Sequence, residues 1–146
     1  MNETIPMENT MNQTLYILMR TDMDSLNPGK AMAQACHAAN LARAMAYSNE
    51  TRHDILEAFM EWECQTPQSF GTTIVLSVEN EHELDRIVGH ACNNAFMAGI
   101  VHDPTYPVSD GTVTHLIPVN TCAFVFVPDR TARLARSVFF GLDLHP

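Results

Sequence analysis

The clearest pattern in the chain is the unbroken apolar run Leu15, Tyr16, Ile17, Leu18 and Met19, closed by Arg20, Thr21 and Asp22. A run that is short and apolar at every position reads as a strand covered on both faces. Residues 72–78, rich in β-branched side chains, and residues 121–127, apolar throughout after Thr121, read the same way. Between these runs the period changes. From Lys30 to about Tyr47, Ala31, Ala35, Ala38 and Ala42 recur at helical spacing, with Leu41 and Met45 on the neighbouring face. Alanine is the best helix former and has almost no side chain, so this stripe predicts a helix set close against another layer. Ser48 and Asn49 break it.

A second helix is predicted over residues 51–64, with Ile55, Phe59 and Trp62 along one side. Asn80 with Glu83 three residues on is an asparagine-initiated capping box. It opens a third helix, carried by Leu84, Ile87, Val88, Ala91 and Ala95 and stopped at Gly99. Pro104, Pro107 and Gly111 predict that any strand in the next segment is short or at a sheet edge. Residues 113–118 are expected to be extended and to lead into the run at 121–127. Pro128 and Asp129 then open a last helix, from Arg130 to about Phe139, and residues 141–146 form a tail whose Leu142 and Leu144 are available to pack back. Buried strands alternating with amphipathic helices predict an α/β sandwich, a small mixed sheet with helices on both faces.

Composition narrows the picture. A chain of 146 residues, 46% hydrophobic and 17% charged, is one globular domain with a real core. The first 13 residues are polar, with neither an apolar stretch nor an arginine cluster, so they read as a flexible extension (1–13) ahead of a domain over 14–146. No run reaches the length of a transmembrane helix, and no membrane partner is expected. Cys36, Cys64, Cys92 and Cys122 are widely spaced within apparent helices and strands, which predicts buried free thiols and a cytoplasmic location. His82, His90, His102 and His115 are scattered, and no metal site is expected. The net charge of −9 argues against broad adhesion to nucleic acid and leaves room for a small basic site.

Lys30 is the only lysine. It stands at a helix start, where the macrodipole disfavours a cation by some tenths of a kcal/mol, about 0.3 or more. A residue placed against helix stability is a candidate for chemistry; a solvated lysine after a turn is the alternative. Lys30, Gln34 and His37 lie within about 60° of one another around the helix. Gly29 and Lys30 are not a Walker loop, since Asp24 and Ala31 occupy the positions that motif needs as glycine and Ser/Thr, and no Gly-x-Ser-x-Gly elbow is present.

Arg20, Thr21 and Asp22, a turn, then Gly29, Lys30, Ala33, Gln34, His37, Ala38 and Ala39 resemble the first strand and helix of the archaeal/eukaryotic-type peptidyl-tRNA hydrolases, the second such family. The C-terminal half is similar too: Thr114, Ile117 and Pro118, then Thr121, an apolar strand, and Val127 with Pro128. The resemblance implies a mixed four-stranded sheet sandwiched between helices, often dimeric. It also implies hydrolysis of the ester joining a peptide to the 3′ end of tRNA, with no cofactor. Carried over, the essential lysine is Lys30, the helix glutamine Gln34 and the helix histidine His37. The Asp-x-x-x-Thr pair falls on Asp110 and Thr114, with Asp103 a rival carboxylate in a segment longer than the family's. A second family threonine aligns with Cys122, beside Thr121. The resulting expectation has Lys30, Asp110, Thr114 and His37 as catalytic residues. Gln34, Arg20, Asp22, Gly29, Asp103 and Thr121 are expected to bind substrate. Arg20 and Lys30 are expected to form a basic cluster with Arg130, Arg133 or Arg136. Two other readings stand beside it: a binding or regulatory protein that reuses the fold, and a hydrolase of another ester or amide.

Overall fold

The run at 15–19 becomes a central strand because both of its faces find apolar cover. The computed structural model describes residues 12–146. In chain order these form β1 (Thr14–Arg20), α1 (Pro28–Ala46), α2 (His53–Glu63), β2 (Thr73–Val78), α3 (Glu81–Asn93), β3 (Met97–Asp110), β4 (Val113–Val127) and α4 (Arg133–Val138). The sheet order is β2-β1-β4-β3, with β1 parallel to β2 and the other pairs antiparallel. Alternation along the strands sorts two cores. Leu15, Ile17, Met19, Phe124 and Phe126 face α1 and α2, while Leu18, Leu76, Val78, Ala123, Val125 and Val127 face α3 and α4. The mixed sheet between helices is as the pattern predicts. The expected flexible extension falls mostly on residues 1–11, outside the described residues. Asn12 and Gln13 belong to the body: the Gln13 amide donates to Glu61 Oε2 at 2.6 Å, and Arg130 N–H to the Asn12 carbonyl at 3.0 Å.

Several boundaries differ from the sequence reading, each for a local reason. Helix α1 begins at Pro28 rather than Lys30, because Asn27 caps it through a 3.0 Å bond from Lys30 N–H and proline suits the first turn. The alanine stripe does pack: Ala31, Ala38, Ala42 and Ala46 are buried, with Ala35 partly open. Asn80 caps α3 as expected, accepting from Glu83 N–H at 2.9 Å. The helix nevertheless stops at Asn93, and Ala95 takes a left-handed φ of 65°. Gly99 is therefore not a helix stop but part of β3. A Cβ there would lie 3.0 Å from Phe124 and 3.1 Å from the Met45 sulfur, so glycine lets α1 approach the sheet.

Strand β3 is at the edge, as its prolines predict, and is 14 residues long. It pairs with β4 well past Met19↔Cys122, where β1 leaves off, so residues 103–119 form a projecting two-stranded arm. Gly111, at φ 61°, makes the two-residue turn at its tip. The last helix is shorter than expected, and in the tail Leu142 packs inward while the Leu144 side chain stays exposed. The tail instead uses its backbone, bonding the free edge of β2 through Ser77 N–H to Asp143 O (2.8 Å) and His145 N–H to Val75 O (2.9 Å). Of the cysteines, all free, only Cys122 is buried. The other three sit on outward faces of α1 and α3 or at the exposed end of α2, which one-dimensional spacing does not distinguish from inward ones.

Candidate active site

The arm leaves the sheet through two irregularities in the β3/β4 register, both beneath α1. Val101↔Cys122 is followed by His102↔Asn120, which makes Thr121 an extra residue on β4. Asp103↔Val119 is followed by Tyr106↔Ile117, which sets Pro104 and Thr105 against the single residue Pro118. A bulge interrupts the strict alternation of side chains and re-aims those beside it. Here Thr121 and its neighbour Cys122 both turn to α1. The Thr121 hydroxyl donates to Gln34 Oε1 at 2.7 Å, and the Cys122 thiol to the Gln34 carbonyl at 3.4 Å. Burial pushes the Cys122 pKa up to about 11, so this thiol is no nucleophile.

Gln34 passes the constraint on. Its Nε2 donates to Asp103 Oδ2 at 2.7 Å, while Asp103 Oδ1 accepts from Thr105 N–H at 2.9 Å. These bonds, the Gln34 amide first, then Thr105 and the charge of His37, hold the Asp103 carboxyl below its usual pKa against the opposing effect of burial. Asp103 is half-buried, and His37 is exposed one helical turn beyond Gln34. One turn in the other direction, Lys30 Nζ donates to the Pro107 carbonyl at 2.6 Å and lies 5.1 Å from the centre of the Tyr106 ring. Tyr106 is buried, its hydroxyl 3.1 Å from Ser25 Oγ. Proline has no N–H for the ladder, and an edge strand tolerates it at Pro107. Lys30, Gln34 and His37 thus lie in a row on α1, with the Asp103 carboxylate bound at its centre.

The geometry does not bring Asp110 or Thr114 to this row. Asp110 lies three residues beyond Pro107, roughly 10 Å along the strand at about 3.3 Å per residue, beside the turn. Its neighbour is His115 at 3.8 Å. Because Asp110 pairs with Val113 and Ser109 with Thr114, strand alternation points Asp110 and Thr114 to opposite faces of the arm. The spacing of four that links them in sequence is split by a hairpin turn. Asp103, the rival, is the carboxylate beside α1.

Three expected binding residues make bonds within the chain. Arg20 donates from Nε and Nη2 to the two Asp22 carboxylate oxygens, each at 2.9 Å, and from Nη1 to the Asn120 carbonyl at 2.9 Å. The Asp22 hydrogen bond raises the Arg20 pKa, and the same bond lowers that of Asp22. Thr121 is fully buried and acts on Gln34. Gly29 is exposed in the first turn of α1, and a Cβ there would meet only Asn27 Oδ1 at an ordinary 3.5 Å, so no close backbone approach requires it. The expected basic cluster is also absent. The Arg130 amide and side chain meet Asn12 and Thr14 at the start of β1, whereas Arg20 ends that strand and Lys30 lies past it.

Two further residues shape the site without a clear mark in the sequence. Tyr106 supplies the ring under Lys30, and its only signal is an aromatic between two prolines on an edge strand. Asn120 joins the bulge to the opposite face of the sheet: Nδ2 donates to Glu81 Oε1 at 3.0 Å, and Oδ1 lies 2.8 Å from His102 Nδ1. With Arg20 on its carbonyl, Asn120 is held on three sides beside the extra residue Thr121. No spacing rule announces that network. Among the described residues no three His, Cys, Asp or Glu side chains gather as a metal site would require, and no helix is long and apolar enough to cross a membrane.

Comparison with known proteins follows the same outline. The family model described as Peptidyl-tRNA hydrolase PTH2 matches residues 13–129. No curated protein matches the sequence. Among solved structures, a protein of unknown function from Agrobacterium tumefaciens strain C58 is similar in fold, with a TM-score of 0.51 at 8% identity, over 92% of this chain and 98% of that one.

Proposed function

The chain belongs to the peptidyl-tRNA hydrolase PTH2 family, and from that premise we propose that it hydrolyses the ester between a peptide and the 3′-terminal ribose of tRNA, with Lys30, His37 and Asp103 at the reacting centre. The observation that carries the reading is the fixed Asp103 carboxylate. It is bonded by buried Gln34 and flanked on one helix face by an ammonium and an imidazole.

The chemistry asks for an activated water and for stabilisation of the oxyanion that forms on attack. In the proposed course His37 takes a proton from water, with Asp103 stabilising the imidazolium. The water oxygen bonds to the peptidyl carbonyl carbon as the carbonyl π bond opens onto its oxygen, and the Lys30 ammonium stabilises the negative charge that develops there. The intermediate then breaks its bond to the ribose oxygen, which takes the proton back from His37. The products are free tRNA and a peptide carboxylic acid, which gives its remaining proton to solvent at neutral pH. Lys30 is suited to its part because its partner is a neutral carbonyl, so its charge is not cancelled by a carboxylate within 4.0 Å among the described residues. Gln34, Thr121 and Arg20 are positioning residues in this scheme.

The test is turnover of a purified peptidyl-tRNA. Lys30→Ala and Asp103→Asn should each lower kcat by about 10²–10⁴ with melting temperature nearly unchanged. Wild-type turnover by Lys30→Ala on both peptidyl-tRNA and a simple peptide ester would end the hydrolase reading at this site.

A further inference from the structure

Most arginines of this acidic chain are already neutralised. Arg20, Arg43, Arg52 and Arg86 each pair with a carboxylate, at 2.9, 2.5, 2.5 and 2.7 Å. Arg133 and Arg136 do not: among the described residues no carboxylate lies within 4.0 Å of either. Both are exposed on α4, and with Ser137 and Phe140 they line one shallow surface hollow. Arg133, Arg136 and Ser137 share one face of α4, and Phe140, in the turn just past its end, continues that stripe along the hollow. The opposite side is the buried one, with Ala135 and Val138 in the core and Phe139 stacked on Tyr16 at 4.1 Å between ring centres. Phe140 has no such cover and is 90% exposed, more than any other large apolar side chain described.

Two uncancelled guanidinium groups around an exposed aromatic ring are poor surface chemistry for a solitary domain and good chemistry for RNA. Guanidinium groups hold phosphates in a fork of donors, and a ring offers a base a face to stack on. Location sharpens the point. The stripe belongs to the helix that follows β4 near the start of β1, on the α3 face, while Lys30 lies past the end of β1 on the α1 face. The seven residues of β1 span roughly 20 Å. A small ester cannot touch both places, but a folded RNA can.

We propose that the stripe of Arg133, Arg136, Ser137 and Phe140 is a second RNA-docking site, where the arginines hold backbone phosphates and Phe140 stacks on an unpaired base. It deepens the hydrolase reading by naming how the body of the tRNA is held, and rests on that reading only for the identity of the RNA.

Deacylated tRNA, which carries no ester, tests it by fluorescence anisotropy on the full chain. R133E/R136E should weaken binding about tenfold or more and make the log–log salt slope shallower by roughly 1.5–2, since two phosphate contacts are lost. Phe140→Ala should weaken binding several-fold with the slope unchanged. On peptidyl-tRNA, R133E/R136E should raise KM and leave kcat alone, with no change on an N-acetylaminoacyl-adenosine ester. Arginine-dependent binding of deacylated tRNA by a protein that fails to hydrolyse peptidyl-tRNA would keep the docking site and remove the hydrolase. Equal affinity and slope in wild type and R133E/R136E would overturn the docking site. So would arginine-dependent binding to phosphatidylserine vesicles without any loss of tRNA binding.

Discussion

Asp103 and Asp110 are the same side chain in chemically different positions. The first accepts bonds from Gln34 and Thr105 beside α1; the second stands at a solvent-exposed hairpin tip with His115 at 3.8 Å. Asp103→Asn should therefore depress turnover while Asp110→Asn leaves it unchanged, measured on the same peptidyl-tRNA. Asn in place of Asp103 also sets amide against amide at Gln34 unless one flips, so Gln34→Glu with Asp103→Asn, which restores a donor and acceptor but moves the carboxylate to position 34, should recover part of the geometry without the charge at position 103. Lys30→Ala combined with Asp103→Asn should be little worse than either alone, as residues acting as a unit are not additive. The thiols give a second check at this scale. Cys36, Cys64 and Cys92 are exposed, whereas Cys122 is buried with its pKa pushed up to about 11. An aromatic disulfide reagent should titrate three thiols in the native protein and the fourth only on unfolding.

At the scale of elements, α1 matters because it is both the wall of a core and the carrier of the site. Its alanines set the distance between helix and sheet, and Gly99 opposite leaves room for them. Ala38→Leu, at a position with no exposure, should overpack the interface and destabilise by about 1–3 kcal/mol in urea denaturation. Ala35→Leu should cost distinctly less, because Ala35 borders an open apolar groove with Met32, Val75 and His145. Displacing α1 should also shift Gln34, so Ala38→Leu is expected to lower turnover beyond its effect on stability. The bulge is the complementary element. It converts two adjacent strand residues into joint contacts of Gln34, and Arg20 on the Asn120 carbonyl supports it from the far face.

For the whole molecule, the pH dependence of stability follows from several modest shifts. Hydrogen bonding holds Asp22, Asp54, Asp103 and Asp129 below their ordinary pKa values, with Arg20, Arg52, Gln34 and Thr131 as the leading partners. A carboxylate with a lowered folded pKa contributes stability above its unfolded pKa, near 4, and loses it as pH falls through the folded value. Cys122 acts at the other end. Its raised pKa favours the protonated thiol in the fold, so stability should decline as pH rises from about 9 toward 11. Urea midpoints measured between pH 3 and 11 should trace a plateau that falls on both sides, and Cys122→Ser should flatten the alkaline limb.

The sequence by itself determined the strands at 15–19, 73–78 and 122–127, the α3 cap, the packed faces of α1 and α3, and the mixed sheet between helices, because each is written in local periodicity and in short-range hydrogen bonds. It also determined the row of Lys30, Gln34 and His37, since helical spacing converts directly into a shared face. Tertiary structure alone decided which carboxylate meets that row. Strand register depends on partners distant in sequence: one extra residue on β4 at Thr121 and one on β3 at Pro104 and Thr105 bring Asp103 under Gln34, and a turn at Gly111 sends Asp110 and Thr114 to opposite faces. The same holds for the arginines, close together or far apart only once β1 sets the distance between its ends.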